Sequence, residues 1–189
     1  MLPPDQIKDF RDIVILKDGT SILLRPMVPE DEDGLLKLFL PISDEDLLYL
    51  QDNVRDPKVV ETWCKTLNYN QVLPLLAVCR NRIVGQATLH FRKGPKRHLA
   101  EVRIFLSKEF RRRGLGNKML NTLIDLARRQ GLRILVAEVV ADESKVIKAF
   151  QNLGFALRCR YDDYFMLPDG DTRDVAILLL NLQPKTDLF

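Results

Sequence analysis

The sequence predicts one α/β domain on a mixed, mostly antiparallel sheet, and three observations predict it. Strand-length apolar runs come in pairs split by turn residues, as at Ile13–Leu16 and Ser21–Leu24 around Lys17-Asp18-Gly19-Thr20. In the second half of the chain, stretches with helical spacing alternate with strand-like runs. The run Leu132–Val139 is apolar but for Arg133 and Glu138, close to the pattern of a parallel-type strand buried on both faces. The 189 residues suit a single domain over 1–189, with its core at about 13–182.

The elements follow in order. After the first hairpin, Pro26 and Pro29 stop the second strand, and Glu30–Leu40 has acids ahead of Leu35, Leu36, Leu38 and Phe39, as a helix start does. Ser43 heads a second helix to Gln51, with Asp46 at the reach-back position of a loose capping box. Pro57 opens a third, to about Leu67. Leu75–Arg80 and Ile83–His90 read as strands turning at Asn81, and Leu99–Leu106 as another after Gly94-Pro95. Met119, Leu120, Leu123, Ile124 and Ala127 recur at helical spacing, with Gly131 as the cap beyond. Strand Leu132–Val139, helix Asp142–Leu153 and strands Phe155–Arg160 and Asp174–Leu182 complete the chain, the last two separated by a loop with Pro168-Asp169-Gly170. Cys79 and Cys159 sit in strand-like runs as core residues.

Composition narrows the function. With 46% hydrophobic and 29% charged residues the chain is an ordinary globular protein, and a net charge of +3 gives no argument for a nucleic-acid or membrane partner. Cys64, Cys79 and Cys159 form no C-x-x-C pair, and the only histidines are His90 and His98, so neither a metal site nor a Ser-His-Asp triad is suggested. Met1–Phe10 carries acids and no apolar core of a signal peptide, and no apolar run reaches the roughly 18–20 residues of a membrane span, so a cytoplasmic protein is expected.

The stretch that carries chemistry is Arg111-Arg112-Arg113-Gly114-Leu115-Gly116-Asn117, between a strand and a helix. The first turn of a helix presents N–H groups without internal partners and a positive dipole end, which together bind anions. Gly114 and Gly116 let a phosphate approach the backbone, and the arginines add charge. The spacing is neither G-x-G-x-x-G nor the Walker G-K-S/T, so a dinucleotide fold and a P-loop are disfavoured.

This segment resembles the coenzyme A motif R/Q-x-x-G-x-G/A of GNAT acetyltransferases, with Arg111, Gly114 and Gly116 at its fixed positions. Ile104–Phe110 resembles the end of the family's fourth strand, and Phe150-Gln-Asn-Leu-Gly-Phe155 its "Y-e-k-l-G-F" helix end. Asp18-Gly19 and Leu24-Arg25-Pro26-Met27 through Pro29-Glu30-Asp31 resemble the N-terminal "R-P-x-x-P-E-D" pattern, frequent in bacterial protein-lysine acetyltransferases. The resemblance implies the GNAT fold, with the family's fourth and fifth strands splayed. It implies that Ile104, Phe105 and Leu106 pair with the pantetheine arm, and that the N–H groups of Arg112–Asn117 hold the pyrophosphate of acetyl-CoA, with no metal. The implied reaction moves an acetyl group from acetyl-CoA to a primary amine, a small molecule or a protein lysine.

Acyl transfer to an amine needs a proton acceptor and a polarised carbonyl. Glu101, in Ala100–Phe105, resembles the base of the histone and protein-lysine branches; Glu138, in Leu135–Val140, that of the branch acetylating N-termini of ribosomal proteins. A structural alternative for Glu101 is an ion pair with Arg103, on the same side of the strand. The family's cofactor-contacting Asn is Glu143 here, and its Tyr acid is Phe150, which has no proton to give. Tyr161 and Tyr164, in the loop before the last strand, are the substitutes at hand, or packing residues. Two other functions remain: a non-catalytic acyl-CoA-binding protein on this fold, and a nucleic-acid module using Lys93–Arg97 and Arg111–Arg113, which lacks interleaved aromatics. Asp31, Glu32, Asp33, Asp44, Glu45, Asp46 and Asp52 would line an acceptor wall suited to a cation or be solvated helix faces, and an exposed Asp174–Leu182 could pair across a homodimer.

Overall fold

A computed structural model describes residues 7–48, 50, 52–167 and 169–182. Its strands are β1 (Asp12–Ile15), β2 (Ser21–Pro26), β3 (Val72–Cys79), β4 (Arg82–Phe91), β5 (Leu99–Leu106), β6 (Ile134–Val140), β7 (Ala156–Met166) and β8 (Thr172–Asn181). They form one sheet in the order β1-β2-β3-β4-β5-β6-β8-β7. The helices are α1 (Glu32–Phe39), α2 (Asp44–Leu48), α3 (Pro57–Lys65), α4 (Leu115–Arg129) and α5 (Ser144–Asn152). The expected mixed sheet is present: β5 and β6 run parallel, while β1–β2, β2–β3, β6–β8 and β7–β8 are antiparallel. No helix among the described residues is long and apolar enough to cross a membrane.

The chain divides into two compact units. One comprises residues 7–88 and Arg103–Leu120, the other Leu89–Val102 and residues 121–182.

In the first unit the Asp18-Gly19 turn closes the β1–β2 hairpin, and the Asp18 carboxylate accepts the Thr20 N–H at 3.0 Å. The Arg25-Pro-Met-Val-Pro-Glu-Asp31 stretch is a clamp. Asp31 is buried, takes both arms of the Arg25 guanidinium at 2.7 and 2.6 Å, and accepts the Val28 N–H at 2.8 Å. A bidentate pair of this kind fixes the chain entering α1. The expected helix therefore starts two residues late, at Glu32, after a tight turn over Pro29–Asp31. Leu35, Leu38 and Phe39 then pack with Met27, Val60, Cys64, Leu76 and Ile83. Burial there pushes the Cys64 thiol up to about 11, helped by nearby carboxylates, so it packs as an inert apolar group. Half of the Ser43–Asp46 capping box forms: Ser43 Oγ accepts the Asp46 N–H at 3.3 Å, and the Asp46 carboxylate takes the Ser43 hydroxyl at 2.8 Å. Of the helix expected over Ser43–Gln51, Asp44–Leu48 is helical, and Tyr49 and Gln51 lie outside the described residues. The β3–β4 turn places Arg80 and Asn81 at φ 47 and 64, the pair of positive angles a two-residue hairpin demands.

In the second unit α4 ends as expected. Gly131 at φ 75 lets its own N–H reach Arg128 O and the Leu132 N–H reach Ala127 O, at 3.0 and 3.1 Å. Three expectations change. β7 runs to Met166 rather than Arg160, so Tyr161 and Tyr164 lie in a strand, not a loop. Cys159 is half-buried rather than in the core, because β7 is the outermost strand. β8 pairs with β6 on one side and β7 on the other, so Asp174–Leu182 offers no open edge. The expected helix Asp142–Leu153 spans Ser144–Asn152; Pro168, in the expected loop, lies outside the described residues.

Candidate active site

The anion cradle is built from backbone. A tight turn over Lys108–Phe110 leaves β5, and α4 begins at Leu115. The Lys118 N–H reaches Gly114 O at 3.3 Å, so Leu115, Gly116 and Asn117 present first-turn N–H groups that no helix carbonyl precedes. Gly114 sits at φ 87 with nothing within 4 Å of where a Cβ would stand. Its backbone conformation costs an ordinary residue strain, and the space above it suits a bulky anion. A Cβ on Gly116 would meet Leu106 and Ile104 at 3.5 and 3.7 Å, ordinary contact, so an alanine would fit there. Gly85 is tighter: a Cβ there would stand 2.6 Å from Leu106 Cδ2 and 3.3 Å from the Phe105 carbonyl oxygen. The glycine lets β4 lie close against the end of β5.

The arginine side chains, expected to add charge beside the phosphates, are held largely by partners within the protein. Arg111 donates from Nε to Leu106 O at 3.0 Å, and from both terminal nitrogens to Asp46 at 3.0 Å each. Its guanidinium carbon lies 5.7 Å from the centre of the Phe105 ring. Arg113 is bonded to Asp18, donates to Thr20 Oγ1 at 2.9 Å and covers the Phe110 ring at 4.7 Å. Arg112 is exposed, with φ 58. Two of the three positive charges thus have carboxylate partners, and the Leu106 carbonyl, one of the expected pantetheine contacts, already accepts from Arg111. Ile104, Phe105 and Leu106 are all half-buried.

The two candidate bases lie in the other unit. Parallel pairing aligns Leu99 with Ile134, Ala100 with Leu135 and Glu101 with Val136. Since side chains alternate, Glu101 and Glu138 project from the same face of the sheet on adjacent strands. The ladder stops at Glu101↔Val136, whereas β6 goes on pairing with β8 to Val140. Glu101 is only 3% exposed, and Arg92 holds its carboxylate at 2.7 Å. Arg92 is thus an ion-pair partner of Glu101 from the neighbouring segment after β4. The Arg92 N–H also bonds Leu99 O at 3.1 Å.

Neither a motif nor the family resemblance points to His90 or Arg92 as site residues. Their signal was present: Gln86, Thr88, His90 and Arg92 make a period-two polar face on an otherwise apolar strand.

Phe150, in place of the family's tyrosine, is buried and meets Phe155 edge-on with ring centres 5.0 Å apart. Glu143 is the N-cap residue of α5, and its side chain makes no cap bond. Tyr161 and Tyr164 stack at 5.3 Å and are half exposed. A bond with Cys159 holds the Tyr161 phenol above the ordinary tyrosine range. The acceptor-wall acids are partly spent: Asp31 pairs with Arg25, Asp44 with Arg55 and Asp46 with Arg111. Asp33 and Asp52 are exposed and Glu32 is half-buried; the side chain of Glu45 lies outside the described residues. Among the described residues no group of three or more His, Cys, Asp and Glu side chains could hold a metal ion.

Residues 39–155 match the acetyltransferase (GNAT) family. The L-amino acid N-acyltransferase MnaT of Escherichia coli is 27% identical over 96 residues, 48% of this chain and 52% of that protein. The chain spans between 27% and 52% of the length of the curated relatives it matches. Among solved structures, the GNAT domain of S. lividans PAT superposes with a TM-score of 0.77 at 21% identity, covering 96% of this chain and 99% of that one. YncA of Salmonella typhimurium, solved with its cofactor acetyl-CoA, gives 0.73 at 19% identity, covering 87% and 96%.

Proposed function

This chain belongs to the acetyltransferase (GNAT) family, and from that premise we propose that it transfers an acetyl group from acetyl-CoA to a primary amine by direct attack in a ternary complex. The observation that carries the reading is the open first turn of α4, where Gly114 at φ 87 leaves room for a phosphate over the backbone. The N–H groups of Arg112–Asn117 take the pyrophosphate, and the backbone of Ile104–Leu106 lies along the pantetheine arm.

The amine nitrogen bonds to the thioester carbon, the carbon–sulfur bond breaks, and the thiolate leaves. The proton lost by the amine goes to Glu101 or Glu138, directly or through one water. Arg92 supports the Glu101 assignment, because at 2.7 Å it holds that buried carboxylate in one place. Phe150 gives the thiolate no proton, so solvent supplies it. The acceptor is a protein lysine or a small-molecule amine. The N-terminal clamp resembles the lysine branch, and the name of the E. coli relative adds the α-amine of an amino acid as the small-molecule case.

The position of Phe150 also favours a second reading, a protein that binds acyl-CoA without turnover. Isothermal titration of the protein with acetyl-CoA and CoA, beside Gly114→Glu, tests the common premise. Binding by the parent and none by the variant is expected, since Glu puts bulk and negative charge where the phosphates sit. No binding by the parent overturns both readings. Binding without acetylation across a panel of lysine peptides, polyamines and amino acids selects the second.

A further inference from the structure

We infer that Asp46 is a positioning residue for the cofactor loop: through Arg111 it ties α2 to the turn that carries Arg111–Asn117, so that cofactor binding and order in α2 rise together. The inference rests on the reading of that loop as the pyrophosphate site.

The geometry assigns Arg111 to holding, not to charge donation. Its Nε is committed to Leu106 O, both terminal nitrogens are committed to Asp46, and one face lies over Phe105. A planar guanidinium used as a fork on one side and stacked on the other is a strut between three elements. It braces the end of β5, the entry to the phosphate turn and α2, across 65 residues of sequence.

Asp46 is the other end of the strut. Its carboxylate also accepts the Ser43 hydroxyl at 2.8 Å, and the same Ser43 oxygen accepts the Asp46 N–H at 3.3 Å at the start of α2. One carboxylate therefore joins a helix cap to the loop. Burial works against its charge, yet Arg111 and Ser43 hold its pKa below the usual carboxylate range. α2 has five residues, too few to be stable by itself, so its order comes from such contacts. Leu47 packs on the core, Arg55 bonds Asp44 and Ile42 O on the far side, and Asp46 supplies the link to the loop. An anion that fixes the backbone of the turn fixes Arg111, and with it the start of α2.

The test follows CoA binding by titration and amide exchange over residues 44–48, in the parent, Asp46→Ala, Asp46→Glu, Arg111→Ala and the double variant, with melting temperatures to confirm folding. CoA slows exchange in α2 of the parent. Asp46→Ala weakens CoA binding about tenfold and abolishes that slowing, in the range of typical coupling between sites. Asp46→Glu restores most of both, and the double variant binds no worse than Arg111→Ala. Parent-like affinity in Asp46→Ala overturns the inference and leaves the cofactor reading standing; so does α2 exchange in the parent that ignores CoA. Tighter binding by Asp46→Ala overturns it as well, making Asp46 a competitor for Arg111. Failure of the parent to bind CoA overturns the cofactor reading and the inference together. Should Asp46→Ala not fold, Asp46→Asn carries the same comparison.

Discussion

The phosphate turn and the β5–β6 strand pair carry the two halves of the proposed chemistry, and they are built from different material. The turn works with backbone. Its N–H groups are fixed by a helix start and by a glycine at φ 87, and the side chains around it serve as braces. The strand pair works with side chains. Two carboxylates share one sheet face, and the environment of each decides what it does: Glu101 is 3% exposed and paired with Arg92, while Glu138 is half-buried. A backbone site tolerates change in any side chain that leaves its conformation intact. A carboxylate site depends on one atom pair and on its partner's charge.

The largest effect that would sharpen this contrast comes from Glu101→Gln. Gln keeps the size and the β5 register but cannot take a proton. If Glu101 is the base, the turnover rate falls by about 10² to 10⁴ while CoA affinity is unchanged, the usual worth of general base catalysis. Glu138→Gln then costs far less. Steady-state kinetics with the best acceptor, run beside CoA titration, separates the two. A fall of that size in Glu138→Gln, with Glu101→Gln near parent, reverses the assignment and leaves Glu101–Arg92 as a structural pair.

The same contrast explains what the sequence revealed. The turn is legible because everything it needs is local: a strand end, Gly114 and Gly116 two apart, and an amphipathic α4 behind them. The braces are not legible. Asp46 lies 65 residues and Asp18 95 residues from the arginines they hold, and charge in a basic run says nothing about such partners. β7 outruns its expected end at Arg160 for a local reason. Asp162-Asp163 looks like turn sequence, but the strand absorbs it as a bulge, with Asp163 at φ 54 and its N–H on the Asp174 carboxylate at 3.0 Å. Arg92 as the partner of Glu101 required knowing that β4 returns beside β5 in that register.

A smaller effect probes the missing acid. Phe150→Tyr restores the residue type the family pattern has, in a site that is 4% exposed and closed by Phe155. A hydroxyl buried there without a partner costs about 1–3 kcal/mol, so the melting temperature falls and turnover gains nothing. Chemical denaturation and kinetics on the variant check both halves. A stable variant with faster turnover would mean that the hydroxyl finds the leaving group, and that this position of the strand-pair region is catalytic rather than apolar filling.

The smallest effect lies on the side of the turn. Bonds from the Thr20 N–H and hydroxyl, and then from Arg113, lower the Asp18 carboxyl from 3.8 to about 2. A carboxyl depressed in the folded state adds stability that is complete above its unfolded pKa and is lost as the pH falls through the folded one. The window is therefore from about pH 4 down to about pH 2. Asp18 is fully exposed, so solvent and salt screen the pair and the effect is slight. Asp18→Asn keeps a side-chain acceptor for the Thr20 N–H and removes the charge. Its melting temperature should lie a little below the parent's at pH 7 and converge with it near pH 2. CoA affinity should hardly change, because Arg113 braces the turn from outside the N–H groups that bind. A marked loss of affinity in Asp18→Asn would show that the backbone of the turn needs its side-chain braces, and the division between the two regions would then be less sharp.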